Sequence, residues 1–582
     1  MCGIFSILNY DTRKLKLLNK EFMKGVGRGP EKSSIYTDDD NKFMLGFHRL
    51  AINGYNDYKS NQPFYINGVI LICNGEIYNW KELYNYLKMD KRHSNSDCEI
   101  IIHLYKLYGI EQTLQMLDGV FAFALYDENI KTMYFARDTY GVRPMFVGEH
   151  LIHKNGTDHI QYLFASELKQ LVDIHKDFVE FKQFKPGTYS KYILDNNIHP
   201  RMKNEKTKPC FFRKIFDERH FSSPNSFTNL SINTFDKARD TVRLNFMDAV
   251  RKRVDNTERE IACLLSGGLD SSLVVSLVNK FMNNLGDNTR LHTWSIGLKG
   301  SDDLRYAKIV ADYLHTIHHE IIVTEDEMLD AIKEVIYTIE SYDTTSVRAS
   351  IGNWLISKYI KNNSEAKVIF NGDGSDELTG GYMYFHCAPD KISFDKECRR
   401  LLKNIHYFDV LRSDRSISSH GLEARTPFLD RNFVQTYLSI PIKYRNMSGK
   451  CEKYLLRSAF DNMDVLPREI LWRTKEAFSD GISSQKESWF EVLQRYIKDI
   501  YRKESKYSGT DEDIINGFIQ LYNWKINLPK TLEQLHYRII FEQKFPGQEK
   551  VIPYYWMPNF VNATDASART LEVYMDKMKK NE

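Results

Sequence analysis

A cysteine at position 2 is the first residue of the chain that could do chemistry. Removal of Met1, which small residues such as Cys2 and Gly3 permit, would leave Cys2 with a free α-amino group. That amine has a pKa of about 7.7–8.0 in model peptides, so it can accept the thiol proton. Because the thiolate is the attacking form, an N-terminal cysteine carries its own general base. Residue type and position predict a nucleophile, although a small buried cysteine at position 2 would be unremarkable by itself.

A glycine-rich turn between a strand and a helix is the second candidate site. Residues 261–265 have a short buried-strand pattern, residues 266–272 have the sequence SGGLDSS, and the apolar face of a helix follows. Glycines let backbone N–H groups approach phosphate oxygens, and a helix N-terminus favours negative charge. The turn matches neither GxxxxGK[ST] nor GxGxxG. It predicts an anion site, although Gly267-Gly268 alone would also fit an ordinary strand-to-helix turn.

The elements around Cys2 are predicted to be sheets covered by helices. Residues 1–195 contain short apolar runs bounded by Gly, Asn or Asp, which are typical of strands. These runs lie at 69–73, 120–126 and 132–135. Helical periodicity appears at 80–87 and 99–108.

The elements around the glycine-rich turn are predicted to form a parallel sheet with helices. Residues 196–235 are rich in Asn, Lys, Ser and Pro, which indicates a linker. From residue 236, long amphipathic helices alternate with strands, and that alternation predicts an α/β domain. The strands lie at 261–265, 291–296 and 367–370. We therefore predict domains over 1–195 and 236–545, with a linker over 196–235 and a tail over 546–582.

Composition excludes several classes of protein. A chain of 582 residues is too long for a single core. Lys plus Arg is 80 and Asp plus Glu is 77, and this balance does not indicate a nucleic-acid-binding surface. The sequence contains no run of about 18 apolar residues, so no membrane span is predicted. The first residues do not resemble a secretory signal. The eight cysteines show no zinc-binding spacing, and without a signal they are expected to be reduced thiols of a cytoplasmic protein. From the charge balance and the apolar runs we expect neither nucleic-acid nor membrane partners.

The first domain resembles class II glutamine amidotransferases. The resemblance rests on Cys2 and on short blocks that follow it in the family's order. These blocks are His48-Arg49-Leu50, Asn74-Gly75-Glu76-Ile77-Tyr78-Asn79, Ser96-Asp97-Cys98-Glu99, Arg137-Asp138, Arg143-Pro144 and Phe164-Ala165-Ser166-Glu167. The resemblance implies an Ntn-hydrolase fold, which is an αββα sandwich, and an activity that releases ammonia from glutamine.

The same resemblance implies a role for each residue of this site. Cys2 would attack the side-chain amide of glutamine, and Asn74 with the backbone N–H of Gly75 would form the oxyanion hole. Arg49 would bind the substrate α-carboxylate and Asp97 its α-ammonium group. Asn53 stands where many relatives carry Asp, and we expect this change to be tolerated. The predicted glutamine-binding residues are Arg49, Leu50, Ala51, Ile52, Asn53, Asn74, Gly75, Glu76 and Asp97.

The SGGxDSS turn resembles the pyrophosphate loop of ATP pyrophosphatases, which convert ATP into an adenylated substrate and pyrophosphate. The resemblance implies a doubly wound parallel α/β domain with extra helices. Asp270 and Asp376 would hold Mg²⁺, which takes oxygen ligands, and Leu265 and Ile296 would flank the adenine. The predicted ATP-binding residues are Leu265, Ser266, Gly267, Gly268, Asp270, Ser271, Ser272, Ile296, Asn371 and Gly372.

Further blocks resemble asparagine synthetases of the eukaryotic type. They are NGDGSDEL at 371–378, GLEARTPFLD at 421–430, Glu452-Lys453, KEAFSDG at 475–481 and YWMP at 555–558. The family implies that Lys453 stabilises charge on the phosphates while a β-aspartyl adenylate forms. Its members usually have SGEGSDE in the first block, so Asn371 and Asp373 depart from the pattern. Asp373 keeps the catalytic carboxylate but is one methylene shorter, which leaves both a slower and a normal enzyme open.

The two halves together are predicted to make asparagine. Glutamine hydrolysis would supply ammonia, and ATP would activate aspartate as β-aspartyl-AMP with release of pyrophosphate. Since ammonium is not a nucleophile, we expect an internal apolar passage for ammonia, and the family implies a homodimer. Four alternatives fit the residues of this sequence less well. An amidophosphoribosyltransferase or a glucosamine-phosphate synthase would lack the SGGxDSS turn, a β-lactam-forming relative would lack Cys2, and a non-catalytic binding protein would have lost further site residues.

Overall fold

The chain divides after Ser223 into two units, Met1–Ser223 and Pro224–Glu582. The computed structural model describes residues 1–38, 42–154, 157–195, 211–284, 290–447, 449–473, 481, 483, 488–503, 509–563 and 565–567. None of the described helices has the length and apolar character needed to cross a membrane.

The first unit contains two antiparallel sheets of six strands each. Its strands are β1 (Gly3–Leu8), β2 (Lys32–Thr37), β3 (Phe43–Arg49), β4 (Phe64–Ile66), β5 (Val69–Ile77), β6 (Gly119–Asp127), β7 (Thr132–Arg137), β8 (Phe146–Lys154), β9 (Thr157–Ala165), β10 (Phe181–Gln183), β11 (Thr188–Asp195) and β12 (Phe211–His220). The first sheet has the order β10-β8-β9-β1-β3-β2, and the second has the order β12-β11-β7-β6-β5-β4. Its α-helices are Leu15–Met23, Trp80–Tyr86 and Ile100–Met116.

The two sheets of the first unit pack face to face. Leu45 of the first sheet and Ile72 of the second belong to one buried apolar cluster, and the rings of Phe135 and Phe164 stack across it at 3.6 Å. The helix Ile100–Met116 packs on the outer face of the second sheet. Phe22 of the helix Leu15–Met23 packs against Phe5 of the first sheet. Successive side chains of a strand point to opposite faces of its sheet, and because both faces are covered here, strands such as β1, β3 and β7 are buried at every position. The predicted αββα sandwich is confirmed.

The second unit is built on a parallel sheet of five strands. They are β13 (Ile261–Leu264), β14 (His292–Leu298), β15 (Ile317–Val323), β16 (Val368–Phe370) and β17 (Glu423–Arg425). The order β15-β14-β13-β16-β17 is that of a doubly wound sheet, in which the direction of winding reverses between β13 and β16. The predicted parallel α/β domain with extra helices is therefore confirmed.

Helices surround this sheet and extend beyond it. They are Phe235–Val254, Leu269–Asn284, Asp302–Leu314, Glu325–Asp330, Ile332–Ile339, Thr344–Asn363, Ser375–Thr379, Lys391–Asn404, Asp409–Ser418, Arg431–Ser439, Ile442–Arg445, Tyr454–Phe460, Arg468–Leu471, Trp489–Lys503, Asp511–Tyr522 and Leu532–Lys544. Many begin at a polar residue whose side chain accepts a hydrogen bond from the first turn, as Asp343 does from the Ser346 N–H.

The linker prediction is wrong for residues 211–220, which form β12 and pair with β11. This strand lies at the edge of its sheet, where charged side chains are common, and its charged residues make its composition resemble that of a loop. Residues 196–210 of the predicted linker lie outside the described residues. The same holds for residues 475–480 of the KEAFSDG block and for residues 568–582 of the tail.

Candidate active sites

Cys2 lies at the start of β1, beside the strand that ends in Arg49. Gly3 is paired with His48 across β1 and β3. The Cys2 thiol is partly buried and donates a hydrogen bond to the backbone carbonyl of Leu50 at 3.5 Å. The contact places the predicted nucleophile against the turn that follows β3.

The guanidinium group of Arg49 is fixed by the turn that it precedes. Nη1 donates to Asn61 Oδ1 at 2.9 Å, and Nη2 donates to the carbonyls of Gly54 at 2.7 Å and Asn53 at 3.4 Å. Three acceptors hold the planar group in one orientation, which suits recognition of a carboxylate. The remaining residues of the turn, Leu50, Ala51 and Ile52, are buried.

The other part of this site lies on β5, in the second sheet of the first unit. Asn74 is 1% exposed, and neither Oδ1 nor Nδ2 has a hydrogen-bond partner among the described residues. An unpaired buried amide costs about 1–3 kcal/mol, so this side chain is suited to a polar group that arrives with a ligand. Two residues on, the Glu76 carboxylate accepts a hydrogen bond from Asn53 Nδ2 at 3.0 Å. This bond ties β5 to the turn after Arg49.

Asp97 joins the same region from the loop before the helix Ile100–Met116. It is buried, and its Oδ2 accepts the N–H of Ile77 at 2.6 Å. The thiol of Cys98 donates to the carbonyl of Gly75 at 3.5 Å. Contacts between neighbours therefore bring the predicted glutamine-binding residues together around Cys2, the turn 49–53 and β5.

Glu99 holds the loop that presents Asp97, a role that was not predicted from sequence. Its carboxylate accepts hydrogen bonds from the N–H groups of His93 and Ser94 at 2.8 and 2.6 Å, and from Tyr84 Oη at 3.1 Å. Ser94 Oγ and the ring of His103 also contact it. Burial alone would raise the pKa of Glu99, but these hydrogen bonds outweigh burial and lower the pKa to about 2.

We expect Glu99 to make the loop 93–99 sensitive to acid. Because its folded-state pKa lies below the ordinary value of 4.5, its stabilisation is complete above pH 4.5 and is lost as the pH falls towards 2. The shift corresponds to about 3 kcal/mol, so Glu99→Gln should weaken the loop at pH 7 by up to that amount, with a difference that shrinks below pH 4.5. Hydrogen exchange of peptides covering 93–99 measures this. Glu82→Gln, on an exposed position, is the matched control, and an equal pH dependence in Glu99→Gln and the wild type would refute the assignment.

In the second unit, the turn 266–272 connects β13 to the helix Leu269–Asn284. Gly267 has φ 69°, and a Cβ atom there would lie 2.4 Å from Tyr306 Cβ, so the turn requires glycine. Ser266 Oγ and Ser271 Oγ are 3.0 Å apart, and Ser272 Oγ is buried without a hydrogen-bond partner among the described residues. The turn gathers hydroxyl and N–H groups at the beginning of a helix, as an anion site requires.

This turn lines a cavity at the carboxyl ends of β13 and β16. The winding of the sheet reverses between these strands, and doubly wound sheets bind ligands at that point. All the predicted ATP-binding residues line the cavity except Gly267 and Ser272. Trp294, Asp303, Thr345, Asn353 and Arg473 add further walls.

Lys453 joins two carboxylates in this cavity. Its buried Nζ lies 2.5 Å from Asp270 Oδ2 and 2.6 Å from Asp376 Oδ1. A Cβ atom at Gly381 would lie 2.1 Å from Lys453 Cε, so the glycine leaves room for the lysine side chain. Lys453 itself has φ 57°, a left-handed conformation that costs a residue with a side chain about 1 kcal/mol or more. Such strain at a cluster of charges is typical of a functional site.

Asp373 is tethered on the opposite wall by the helix Asp409–Ser418. Arg412 Nη2 donates to Asp373 Oδ1 and to Asp409 Oδ1, each at 2.9 Å. Asn371 donates to Ser413 Oγ at 2.7 Å and accepts the Asp373 N–H at 3.3 Å. Burial raises the pKa of Asp373, although Arg412 acts in the other direction. The two residues that depart from the family pattern thus lie in one hydrogen-bonded network.

Most of the acidic side chains near Arg412 in this cavity were not predicted from sequence. Tyr382 donates a hydrogen bond to Glu377, and burial together with Asp409 raises the pKa of Glu377. Asp409 and Arg412 also line the cavity. One signal was present in the sequence, because Asp409, Arg412 and Ser413 recur at helical spacing on one face. No sequence pattern predicts that this face contacts the loop 371–378, because the two segments are distant in sequence.

Comparisons with known proteins agree with this two-site organisation. Residues 1–203 match the family model described as glutamine amidotransferase domain, and residues 241–393 and 389–549 match the one described as asparagine synthase. Similar proteins named asparagine synthetase [glutamine-hydrolyzing] come from Gallus gallus (41% identity over 584 residues, 99% of each chain), Mesocricetus auratus (42% over 594 residues, 100% of each) and Homo sapiens (40% over 592 residues, 100% of each). Similarity over the full length of both units shows that the chain belongs to the family of glutamine-hydrolysing asparagine synthetases.

Proposed function

We propose that this protein makes asparagine from aspartate, with nitrogen from glutamine and activation by ATP. The observation that carries the proposal is the cavity of the second unit. Its lining includes the turn 266–272 at the reversal point of the sheet, and it also includes Arg412 with the acids Asp409 and Glu377. A guanidinium group beside carboxylates suits the α-carboxylate and α-ammonium groups of an amino acid. The cavity therefore offers groups that suit a nucleotide and groups that suit an amino acid.

In the first unit, Cys2 would act as the nucleophile once Met1 is removed. Its α-amino group would accept the thiol proton, and the thiolate would attack the amide carbon of glutamine. Asn74, whose amide has no described partner, and the Gly75 N–H would bind the oxyanion. Arg49 and Asp97 would hold the substrate's α-carboxylate and α-ammonium groups. Ammonia would leave, and water would then release glutamate from the thioester.

In the second unit, the residues 266–272 would bind the β and γ phosphates of ATP through N–H and hydroxyl groups. The aspartate β-carboxylate would attack the α phosphorus, which gives β-aspartyl-AMP and pyrophosphate. Lys453 would stabilise the negative charge that develops on the phosphates in the transition state, because its ammonium group is already oriented and desolvated. Ammonia would then attack the β-carbonyl carbon of the adenylate, the bond from that carbon to the phosphate oxygen would break, and AMP would leave. Asp373, whose pKa is raised by burial, would accept a proton from the ammonia as the C–N bond forms.

Asp270 and Asp376 fit a Mg²⁺ ion that arrives with ATP. Both carboxylates face the same ammonium group, so they already converge on one point. Among the described residues no group of three or more metal-binding side chains is present. This suits Mg²⁺, which commonly takes one or two carboxylates and completes its shell with phosphates and water. The ion would neutralise part of the negative charge on the phosphates.

The test is to incubate the protein with aspartate, ATP, Mg²⁺ and glutamine and to follow asparagine, glutamate, AMP and pyrophosphate together. Near-equal amounts of the four products are expected. Glutamate alone would mean a working glutaminase beside a synthetase disabled at or near Asp373. Absence of all products, even with ammonium supplied, would refute the proposed function.

We expect Asn74→Ala to lower glutamine-dependent turnover about 100–1000-fold, because it removes one oxyanion donor. Ammonium-dependent synthesis should stay at the wild-type rate, since that reaction does not use the first site. Steady-state assays with each nitrogen donor measure the two rates. Asn85→Ala, at an exposed position of the neighbouring helix, is the control. A glutaminase rate within about threefold of the wild type would contradict the role of Asn74.

The homodimer, which the family resemblance implies, stays a prediction. The cytoplasmic location, which was expected from the thiols and from the first residues of the sequence, also stays a prediction. Light scattering coupled to size-exclusion chromatography would decide the oligomeric state, and cell fractionation would decide the location.

A further inference from the structure

The C-terminal segment 554–567 packs on the walls of the synthetase cavity. We call it the C-terminal clamp; all its residues except Thr564 are described. It lies beyond the asparagine synthase family model, whose match ends at residue 549. Trp556 is buried in an apolar cluster with Tyr384 and Phe385, and Ala563 and Ala566 pack against the same cluster.

One contact of the clamp fixes the helix Thr344–Asn363. Arg348 of that helix is buried and forms two hydrogen bonds with Asp565, from Nη1 to Oδ1 at 2.8 Å and from Nη2 to Oδ2 at 2.7 Å. The same guanidinium group also binds Glu533 through Nε at 2.8 Å. Its neighbours Thr345 and Ala349 line the cavity. The clamp therefore holds a helix whose other side chains form the cavity wall.

A second contact of the clamp is made by Trp556, which lies beside the helix start and beside Tyr382. The backbone N–H of Trp556 donates to Asp343 Oδ1 at 2.7 Å. Asp343 Oδ2 accepts the backbone N–H of Ser346 at 2.9 Å and so caps the same helix. The Trp556 ring lies 5.4 Å from that of Tyr382, between ring centroids. Tyr382 donates to Glu377, and both residues line the cavity.

We propose that the C-terminal clamp positions the aspartate-binding end of the synthetase cavity, with Asp565 and Trp556 as its positioning residues. This inference rests on the proposed function and deepens it. The clamp binds both the helix Thr344–Asn363 and Tyr382, and through Tyr382 it orients Glu377. It makes no described contact with the residues 266–272. Because displacement of a binding group by about 1 Å can cost about 100-fold, loosening the clamp lowers affinity for aspartate and spares that for ATP.

Asp565→Asn tests the clamp without removing the last partner of Arg348. Glu533 still neutralises the guanidinium group, so the fold is retained. We expect the KM for aspartate to rise about tenfold while the KM for ATP and the glutaminase rate change less than twofold. Asp565→Glu keeps the charge and should restore most of the affinity. Asp511→Asn, which removes the exposed partner of Arg502, is the matched control and should change neither KM.

Hydrogen exchange of peptides covering 344–356 gives a second readout that does not depend on activity. Exchange should be faster in Asp565→Asn than in the wild type and in Asp511→Asn. Unchanged exchange together with an unchanged KM for aspartate would overturn the proposal, and so would an equal rise in both KM values. If the wild-type protein makes no asparagine, the proposed function fails. The exchange measurement then decides separately whether the clamp holds the helix.

Discussion

Cys2→Ala should abolish asparagine synthesis from glutamine and leave synthesis from ammonium intact. Alanine is small, so removal of Met1 and the free α-amino group are retained while the nucleophilic sulfur is lost. Arg49 and Asn74 lack nucleophilic atoms. The other thiol of this site, Cys98, is buried and donates to the Gly75 carbonyl, and its hydrogen bond with Cys73 together with burial raises its pKa, so it stays protonated and does not replace the Cys2 thiolate. We expect glutamine-dependent turnover to fall at least about 10⁴-fold, because loss of a nucleophile removes the covalent route entirely.

Parallel assays with glutamine and with ammonium chloride, and intact-mass measurement of the N-terminus, check this result. Cys387→Ala is the matched control, because Cys387 is an exposed free thiol in the second unit. It should leave both activities unchanged. Loss of ammonium-dependent synthesis in Cys2→Ala would contradict the assignment of separate chemistry to the two units. Retained glutaminase activity would exclude Cys2 as the nucleophile.

The residues of the first site were predictable from sequence because they lie in short blocks. Residues 74–76 are consecutive on β5, and residues 49–53 form one turn. Glu99 lies in such a block, and its contact with His103, one helical turn away, was predictable. Its role in the loop was not, because its bonds with His93, Ser94 and Tyr84 form only after the loop and the helix Trp80–Tyr86 have packed. Backbone patterns predict elements, whereas a buried carboxylate's role depends on its tertiary partners.

The second site shows the same division. The strand, the glycine-rich turn and the helix after residue 261 were predictable from their order along the chain. The tether of Asp373 was not, because Arg412 lies on a helix 39 residues away and reaches the cavity through tertiary packing. The structure also gives the shorter carboxylate a fixed position, through Arg412 and the Asn371–Ser413 hydrogen bond. A held carboxylate favours an active synthetase over an inactive one.

β12 illustrates a different limit of prediction. Its residues 211–220 have the sequence FFRKIFDERH, in which five residues are charged and fall in two short runs, and this composition resembles a solvated linker. The strand forms because one face packs Phe212 into the core between the sheets while the other face stays in water. Such a composition is compatible with either state, and only pairing with β11 decides between them.

Lys453→Met should lower asparagine synthesis about 1000-fold with either nitrogen donor, while glutaminase activity is retained. The ammonium group contacts both Asp270 and Asp376 in the cavity. Without it, Mg²⁺ would be left to offset the charge of the two carboxylates and of the ATP phosphates, and the cost would grow as the transition state gathers negative charge. Methionine has a similar length, so the effect isolates the charge. Formation of AMP and pyrophosphate from ATP and aspartate measures the activation step directly.

Folding must be separated from chemistry in this variant, since removal of one partner of a buried ion pair can destabilise a protein by about 3–5 kcal/mol. Glutaminase activity reports the first unit, and hydrogen exchange of β13 and β16 reports the second. Lys443→Met changes an exposed lysine and should behave as the wild type. If exchange is unchanged but activation is lost, the charge of Lys453 is needed for adenylate formation. Synthesis within about tenfold of the wild type would instead show that Lys453 only balances the two carboxylates.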